Sequence, residues 1–255
     1  MQTFPWPLFL LIGFSLLFSG PGYGQQDETV HFVEESNWPP FTPNHFGLTQ
    51  QGLSYAIIEE IFNRLNRSFD VELLPQLRML KYLQEGQRDA ATVISKNSDR
   101  LKFLIYSDEI FQKKGRIYYS AKRKKAFSWQ SYEDLVGLNI GTVMGHNYGS
   151  DFIKANKQYS FKLEEVIKVE QNFGKLLTGR IDIFLCNELT AKQFLRKPKY
   201  KGKIIASYKN YFEKGYHIAF SKFSPQQHLL PKINKTIRAM KKDGSLKDII
   251  SRFTD

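Results

Sequence analysis

The chain contains one cysteine, Cys186, so it cannot form an internal disulfide. No cysteine stands just after the apolar N-terminal run, which argues against a lipid-anchored form. Beyond that run no segment approaches the roughly 20 apolar residues of a membrane span, so no stable membrane insertion is expected once the N-terminus is removed. Long low-complexity tracts are missing too, which excludes a largely disordered chain. Neither His146 nor His217 has a second histidine or an acid at metal-ligand spacing, and a structural or surface role suits both. A nucleophile elbow and a phosphate-binding loop are also absent. The residues therefore assign no metal, no cofactor and no catalytic group.

What is present is a 255-residue chain with 42% hydrophobic and 24% charged residues, enough for one large domain or two lobes with separate cores. Its N-terminus differs from the rest. The run Pro7 to Phe18 is almost uninterrupted apolar sequence, too short to span a bilayer comfortably. Gly22 and Gly24 follow as small residues before a cut after Gly24. Residues 1–24 thus read as a cleaved secretory signal, although no Lys or Arg precedes the apolar run. A buried first helix and an uncleaved anchor are the alternatives. Export without disulfides fits a bacterial periplasm better than a eukaryotic extracellular space.

Formal charge is +12, none of it from residues 1–24. Lysines and arginines cluster at Lys122–Lys125 and at Arg196–Lys203. An exported protein rarely meets nucleic acid, and neither cluster interleaves aromatics as a single-strand platform does. Solvated surface is the better reading, and no nucleic-acid partner is expected.

Strand and helix patterns alternate along the chain. A short strand in "TVHFVEES" precedes the turn-rich "NWPPFTPNHFG". Leu53, Ala56, Ile57, Ile61 and Leu65 then recur at helical spacing, with Glu59, Glu60, Asn63 and Arg64 on the other face. "FDVELLP", a helix through "LRMLKYLQEG" and the strand "DAATVIS" complete a first α/β unit. A second unit runs from "RIYYSAKRKK" to "GKIIASY". It includes a short helix capped by Ser131, a strand ending in "TVMG", a helix capped by Asn172 and stopped by Gly179, and the buried strand "RIDIFLCN". The chain then returns through the strand "GYHIAFSK" to a helix capped by Ser224 with Pro225 at its first position, ended by Gly244, and a final short helix. No repeat is strong enough to indicate duplication. The expected division is lobe 1 from 25–111 and 215–255, lobe 2 from 117–206, and hinge strands at 112–116 and 207–214, leaving a cleft between the lobes.

The ordered set "NWPPF", "GLSYAIIEEIFNRLN", "LPQLRMLKYLQEGQRDAA", "ISKNSDRLKFLIYSDEIF", "DLVGLNIGTVMG", "LLTGRIDIFLCN" and "MKKDGSLKDIISRF" resembles the bacterial extracellular solute-binding proteins of family 3. Each motif alone is weak; their order covers nearly the whole chain after the signal. The resemblance implies an α/β fold, a two-lobe clamshell of the type II periplasmic binding proteins, each lobe a sheet flanked by helices. It also implies a monomeric periplasmic receptor for an amino acid or related polar solute, partnered by the membrane subunits of an ABC transporter. In such proteins an aromatic at the position of Trp38 covers the ligand, and residues at Ser95 and Arg100 hold its carboxylate. The loop of Gly145, His146 and Asn147 adds hydrogen bonds, and an acid at the end of the "GRID" strand receives the ammonium.

Arg100 suits its task because a guanidinium fork matches a carboxylate bidentately. A salt bridge to Asp99 or Asp108 is the plainer alternative. Trp38 sits on a turn stiffened by two prolines, as a rigid wall or as a core residue. Arg78 is a second basic candidate for the cleft, or a solvent-facing helix residue. One departure matters: the ammonium-binding position is Asn187 rather than an acid. Loss of such a partner costs about 2–5 kcal/mol, against the roughly −8 kcal/mol of a micromolar ligand. Either Glu188 turns in to substitute, or the ligand is not an ordinary α-amino acid; an outward helix start is the plainer reading of Glu188. Two other roles for the scaffold are a periplasmic dehydratase of cyclic aromatic precursors, with Glu188 or His146 as its acid, and a free sensor subunit.

Overall fold

The computed structural model describes residues 1, 2, 29–42, 52–123 and 127–254, so the signal segment and its cut site lie outside the described residues. Strand β1 (Val30–Glu35) leads to helix α1 (Leu53–Leu65), β2 (Phe69–Leu74), α2 (Gln76–Gln84), β3 (Ala90–Ser95) and the short β4 (Leu104–Tyr106). After β5 (Phe111–Ser120) come β6 (Asn139–Val143), α3 (Ser150–Tyr159), β7 (Lys162–Val166), α4 (Val169–Leu177), β8 (Ile183–Asn187) and α5 (Glu188–Leu195). The long β9 (Ile204–Ser221) returns the chain to α6 (Leu230–Asp243) and α7 (Ser245–Thr254).

The strands join in the order β2-β1-β3-β9-β5-β8-β6-β7, with β4 also on β9. The outer trios, β2-β1-β3 and β7-β6-β8, are parallel, whereas β3, β4 and β5 run antiparallel to β9 and β8 antiparallel to β5. Two parallel α/β halves are thus fused through one antiparallel ribbon. Helices α1, α6 and α7 pack on one another beside the first half, and α4 packs on β6 and β8 in the second. In the first half Phe32 meets Phe62 edge-on at 5.3 Å. In the second, Phe173 stacks on Phe194 at 4.7 Å. Each such buried ring contributes roughly 1.5–3 kcal/mol.

The two crossing segments expected from the sequence lie opposite each other in that ribbon. Rather than two strands with a break, β9 is continuous, pairing with β5 from Ile204 to Tyr216 and with β3 and β4 from Tyr216 to Ser221. Asn172 is also not a cap. Helix α4 begins at Val169, and the buried Asn172 side chain inside it donates to the Thr142 carbonyl at 2.9 Å, tying α4 to β6. Ser224 does cap, accepting from Gln226 N at 3.0 Å. The register shifts between Gly115 and Tyr118, where Gly115 lies against Phe212.

A Cβ on Gly115 would stand 2.4 Å from the Phe212 ring and 2.6 Å from Tyr211. Gly115→Ala is therefore expected to destabilise the fold by about 1–3 kcal/mol, the usual cost of overpacking. Urea unfolding followed by circular dichroism measures this; an unchanged midpoint would mean that Phe212 swings clear.

Candidate functional site

Two parallel pairs of strands, one in each half, end at the cleft: β1 at Glu35 and β3 at Ser95, β6 at Val143 and β8 at Asn187. Crevices outside the carboxyl ends of strands are where open α/β sheets bind ligands. A cleft with about 430 Å³ of space between its atoms, open solvent included, lies there, bounded by Glu34, Glu35, Trp38, Ser95, Arg100, Lys113, His146, Asn147 and Tyr216 among others. It adjoins a second cavity of about 260 Å³, open solvent again included, under β6 and β8, which shares Lys113, His146 and Asn147 and reaches Asn187.

Arg100 opens a single 3₁₀ turn, its backbone N–H held by the Asn97 side chain at 2.8 Å. That turn aims the side chain inward, and only 5% of Arg100 is exposed. Asp99 pairs instead with Lys102 at 2.7 Å, and Asp108 with Arg238. The guanidinium donates through Nη1 to the Ser95 carbonyl at 3.0 Å and through Nη2 to the Gly145 carbonyl at 3.0 Å. Burial lowers its pKa, with the Glu35 charge opposing that shift at longer range. Among the described residues no carboxylate forms an ion pair with it.

The loop after β6 closes on the first half of the molecule. Gly145 has φ 76°, and a Cβ there would come within 2.9 Å of Gln76. Next to it His146 Nε2 meets Glu35 Oε1 at 2.7 Å. Asn147 donates to Ser95 Oγ at 3.1 Å and to the Lys96 carbonyl at 2.9 Å. With its amide oxygen facing Arg100 at 3.0 Å, Gln76 donates to Glu35 Oε2 at 2.8 Å. Both carboxylate oxygens of Glu35 are therefore engaged.

Trp38 is buried, stacked on Phe41 at 4.2 Å and edge-on to Tyr216 at 5.7 Å. Its indole N–H, the Tyr216 hydroxyl and Glu34 Oε1 are buried without hydrogen-bond partners among the described residues. Each of these residues lines the larger cavity. Orphaned buried polar atoms are few in native proteins and call for a reason. Burial pushes the Glu34 carboxyl up to about 8, against an opposing hydrogen bond from Thr92.

Lys113, on the ribbon strand β5, reaches the same space. Its Nζ lies 5.8 Å from the Trp38 ring centre, 5.3 Å from Phe212 and 5.2 Å from Tyr216. Desolvation lowers its pKa to about 8. Cation–π contacts return about 0.5–2 kcal/mol, less than the several kcal/mol that removing an ammonium from water costs.

The structure thus brings Trp38, Ser95, Arg100, His146 and Asn147 to one cavity. Asn187 borders the adjoining one, with its polar atoms turned away. It caps α5, accepting from Thr190 N at 2.9 Å and donating to Thr190 Oγ1 at 2.7 Å. Glu188 lines neither cavity, and its carboxylate stands 3.9 Å from Arg116 on β5. Arg78 is exposed on α2 and lines neither. Glu34, Glu35, Gln76, Lys113 and Tyr216 were not singled out from the sequence. An acidic pair ending a buried strand was the one available signal, in "VEES".

A lysine whose pKa falls from 10.5 to about 8 on folding costs roughly 3 kcal/mol while protonated. The unfolded chain binds more protons between those values, so stability rises with pH across that window. Lys113→Met is expected to stabilise the ligand-free protein at pH 7 and to remove that rise, as read by thermal unfolding; a lower melting temperature would make the ammonium a structural support. Glu34 has the opposite sign. With its pKa raised from 4.5 to about 8, the native state holds more protons, so stability falls as pH rises through that range. Glu34→Gln should flatten that fall, and an unaltered pH profile would place its origin elsewhere.

Among solved structures, an ancestral arginine-binding protein bound to arginine superposes with a TM-score of 0.76 at 23% identity, covering 89% of this chain and 99% of that one. The GluR0 ligand-binding core from Nostoc punctiforme in complex with L-glutamate gives 0.70 at 18% identity, covering 89% and 99%. These likenesses give the fold as the two-lobe clamshell of type II periplasmic binding proteins. In sequence, the probable amino-acid-binding protein YxeM of Bacillus subtilis (strain 168) is 19% identical over 259 residues, 99% of this chain and 96% of that protein. The pattern that defines the bacterial extracellular solute-binding proteins, family 3, matches residues 30–255, and the chain belongs to that family.

Proposed function

We propose that the protein is a periplasmic receptor that captures a small carboxylate-bearing solute between its lobes and delivers it to an ABC transporter. The observation that carries this reading is Arg100, a buried guanidinium at the junction of the lobes whose hydrogen-bond partners are neutral oxygens. An arginine held in place by neutral oxygens keeps its charge unpaired, and a carboxylate that displaces some of those contacts supplies the counter-ion. Trp38 and Tyr216 wall the same cavity, and Ser95 and Asn147 supply further polar edges. The relatives whose names mention amino acids or arginine support a small polar solute.

The contacts of His146 with Glu35 and of Asn147 with Ser95 join the two halves across the cavity. They are the groups that closure would bring together, with segments 112–116 and 207–214 as the hinge. Export through a cleaved N-terminal signal and a monomeric state complete the proposal.

Isothermal titration of the mature chain with a panel of small carboxylates tests it. Arg100→Ala should weaken binding at least about 100-fold, as expected when a buried, hydrogen-bonded charge is deleted. Arg100→Lys keeps the charge but loses the fork, and should recover only part of the affinity. Unchanged affinity in a folded Arg100→Ala protein would remove Arg100 from the carboxylate's contacts. Turnover of a bound solute would move the chain to the enzymatic alternative.

A further inference from the structure

The charges around the cleft are unusual for a site that takes an α-amino acid. An ammonium needs an available acceptor, preferably a carboxylate. Asn187 is spent on capping α5. Glu188 lies outside both cavities, and Glu35 has one oxygen on His146 and the other on Gln76. Glu34, the remaining acid on the cavity wall, is held largely protonated at neutral pH by its burial, so it offers a donor rather than a negative charge.

Aromatic rings are the other way to hold a ligand's cation. Trp38, Phe212 and Tyr216 do surround a cation, but it is the protein's own: the Lys113 ammonium, within 5.2–5.8 Å of all three ring centres. Lys113 borders both cavities, whereas Arg100 borders the larger one. Lys113 Nζ has no hydrogen-bond or ion-pair partner among the described residues. Two buried cations therefore face one space, and Glu35, whose charge acts on both at longer range, pairs directly with neither.

We propose that the cleft takes a small dianion without an amino group, one carboxylate on Arg100 and the second anionic group on Lys113. This inference rests on the receptor reading above and adds the ligand's charge pattern to it. The solute spans from the strand end at Ser95 to the ribbon strand β5. Both its ends meet cations. Glu34, Tyr216 and the Trp38 indole supply hydrogen-bond donors to its oxygens along the way, which gives all three orphaned groups a partner. An α-amino group introduced into the same solute would meet two cations and, as its carboxylate, Glu35, whose oxygens already bond His146 and Gln76.

Calorimetric titration with matched probes separates the possibilities. Succinate and glutarate are the dianions, aspartate and glutamate are the same molecules carrying an α-amino group, and butyrate and pentanoate lack the second carboxylate. Succinate or glutarate is expected to bind at least 10-fold more tightly than both its amino and its monocarboxylate counterparts. In Lys113→Met the preference for two carboxylates over one should disappear. Glutamate or aspartate binding as tightly as glutarate or succinate overturns the inference, and so does a Lys113→Met protein that keeps the two-carboxylate preference. If those outcomes come with binding that Arg100→Ala still abolishes, the receptor reading stands and only the dianion falls. Failure of every carboxylate to bind folded protein overturns both.

Discussion

Buried charge is the constraint around which this molecule is organised. The Arg100 guanidinium is taken out of water at the join between the two halves of the sheet, where an ionic group survives only if its donors are met. The acceptors come from both sides: the carbonyl of Ser95 at the end of β3 and that of Gly145 in the loop after β6. Gly145 can reach this position because it adopts a positive φ and carries no Cβ to strike Gln76. Once the loop is there, His146 and Asn147 are delivered to Glu35 and Ser95. The geometry of the cleft thus follows from the need to satisfy one side chain.

Lys113 shows the same principle in an unsatisfied form. Rings partly shield its ammonium, but the pKa drop to about 8 marks a group that folding does not favour in its charged state. Strained or costly features concentrate where a protein binds something. The same applies to the Glu34 carboxyl, raised to about 8 in the neighbouring wall. Burial disfavours the charged form of each. Both line the one cavity where the proposed solute would meet them.

The alternation of strands and helices could be read from the sequence because burial on both faces writes continuous apolar runs such as "IDIFL", and one-sided burial writes the stripe of α1. Ile58 and Phe62 join that stripe, while Ala56 and Leu65 lie at its half-buried margins. Strand β7 escaped notice because Lys162, Glu164 and Glu165 are exposed, and such an edge strand lacks the apolar signal. The continuity of β9 was hidden by the polar residues between Tyr208 and Lys214. At the site, Ser95, Arg100, Trp38, His146 and Asn147 stood out through motif order and share one cavity. Lys113 did not, because a lysine in a polar strand looks like solvated surface until three distant rings close over it. The tilt of Glu188 away from the cavities is also a tertiary matter: its neighbour Asn187 starts α5 and fixes the direction of the next side chain.

The path of β9 has a consequence for how the chain acquires its shape. Strands β3 and β4 pair with the end of β9, and α6 and α7, which follow it, pack on α1. The first half of the sheet therefore lacks one inner strand and two of its helices until β9, α6 and α7 have been synthesised, while β5 to β8 can associate among themselves earlier. Contacts of such long sequence separation form slowly, because the intervening loop must be closed before they stabilise anything. A chain built this way leaves its first half open while its second is already able to pair.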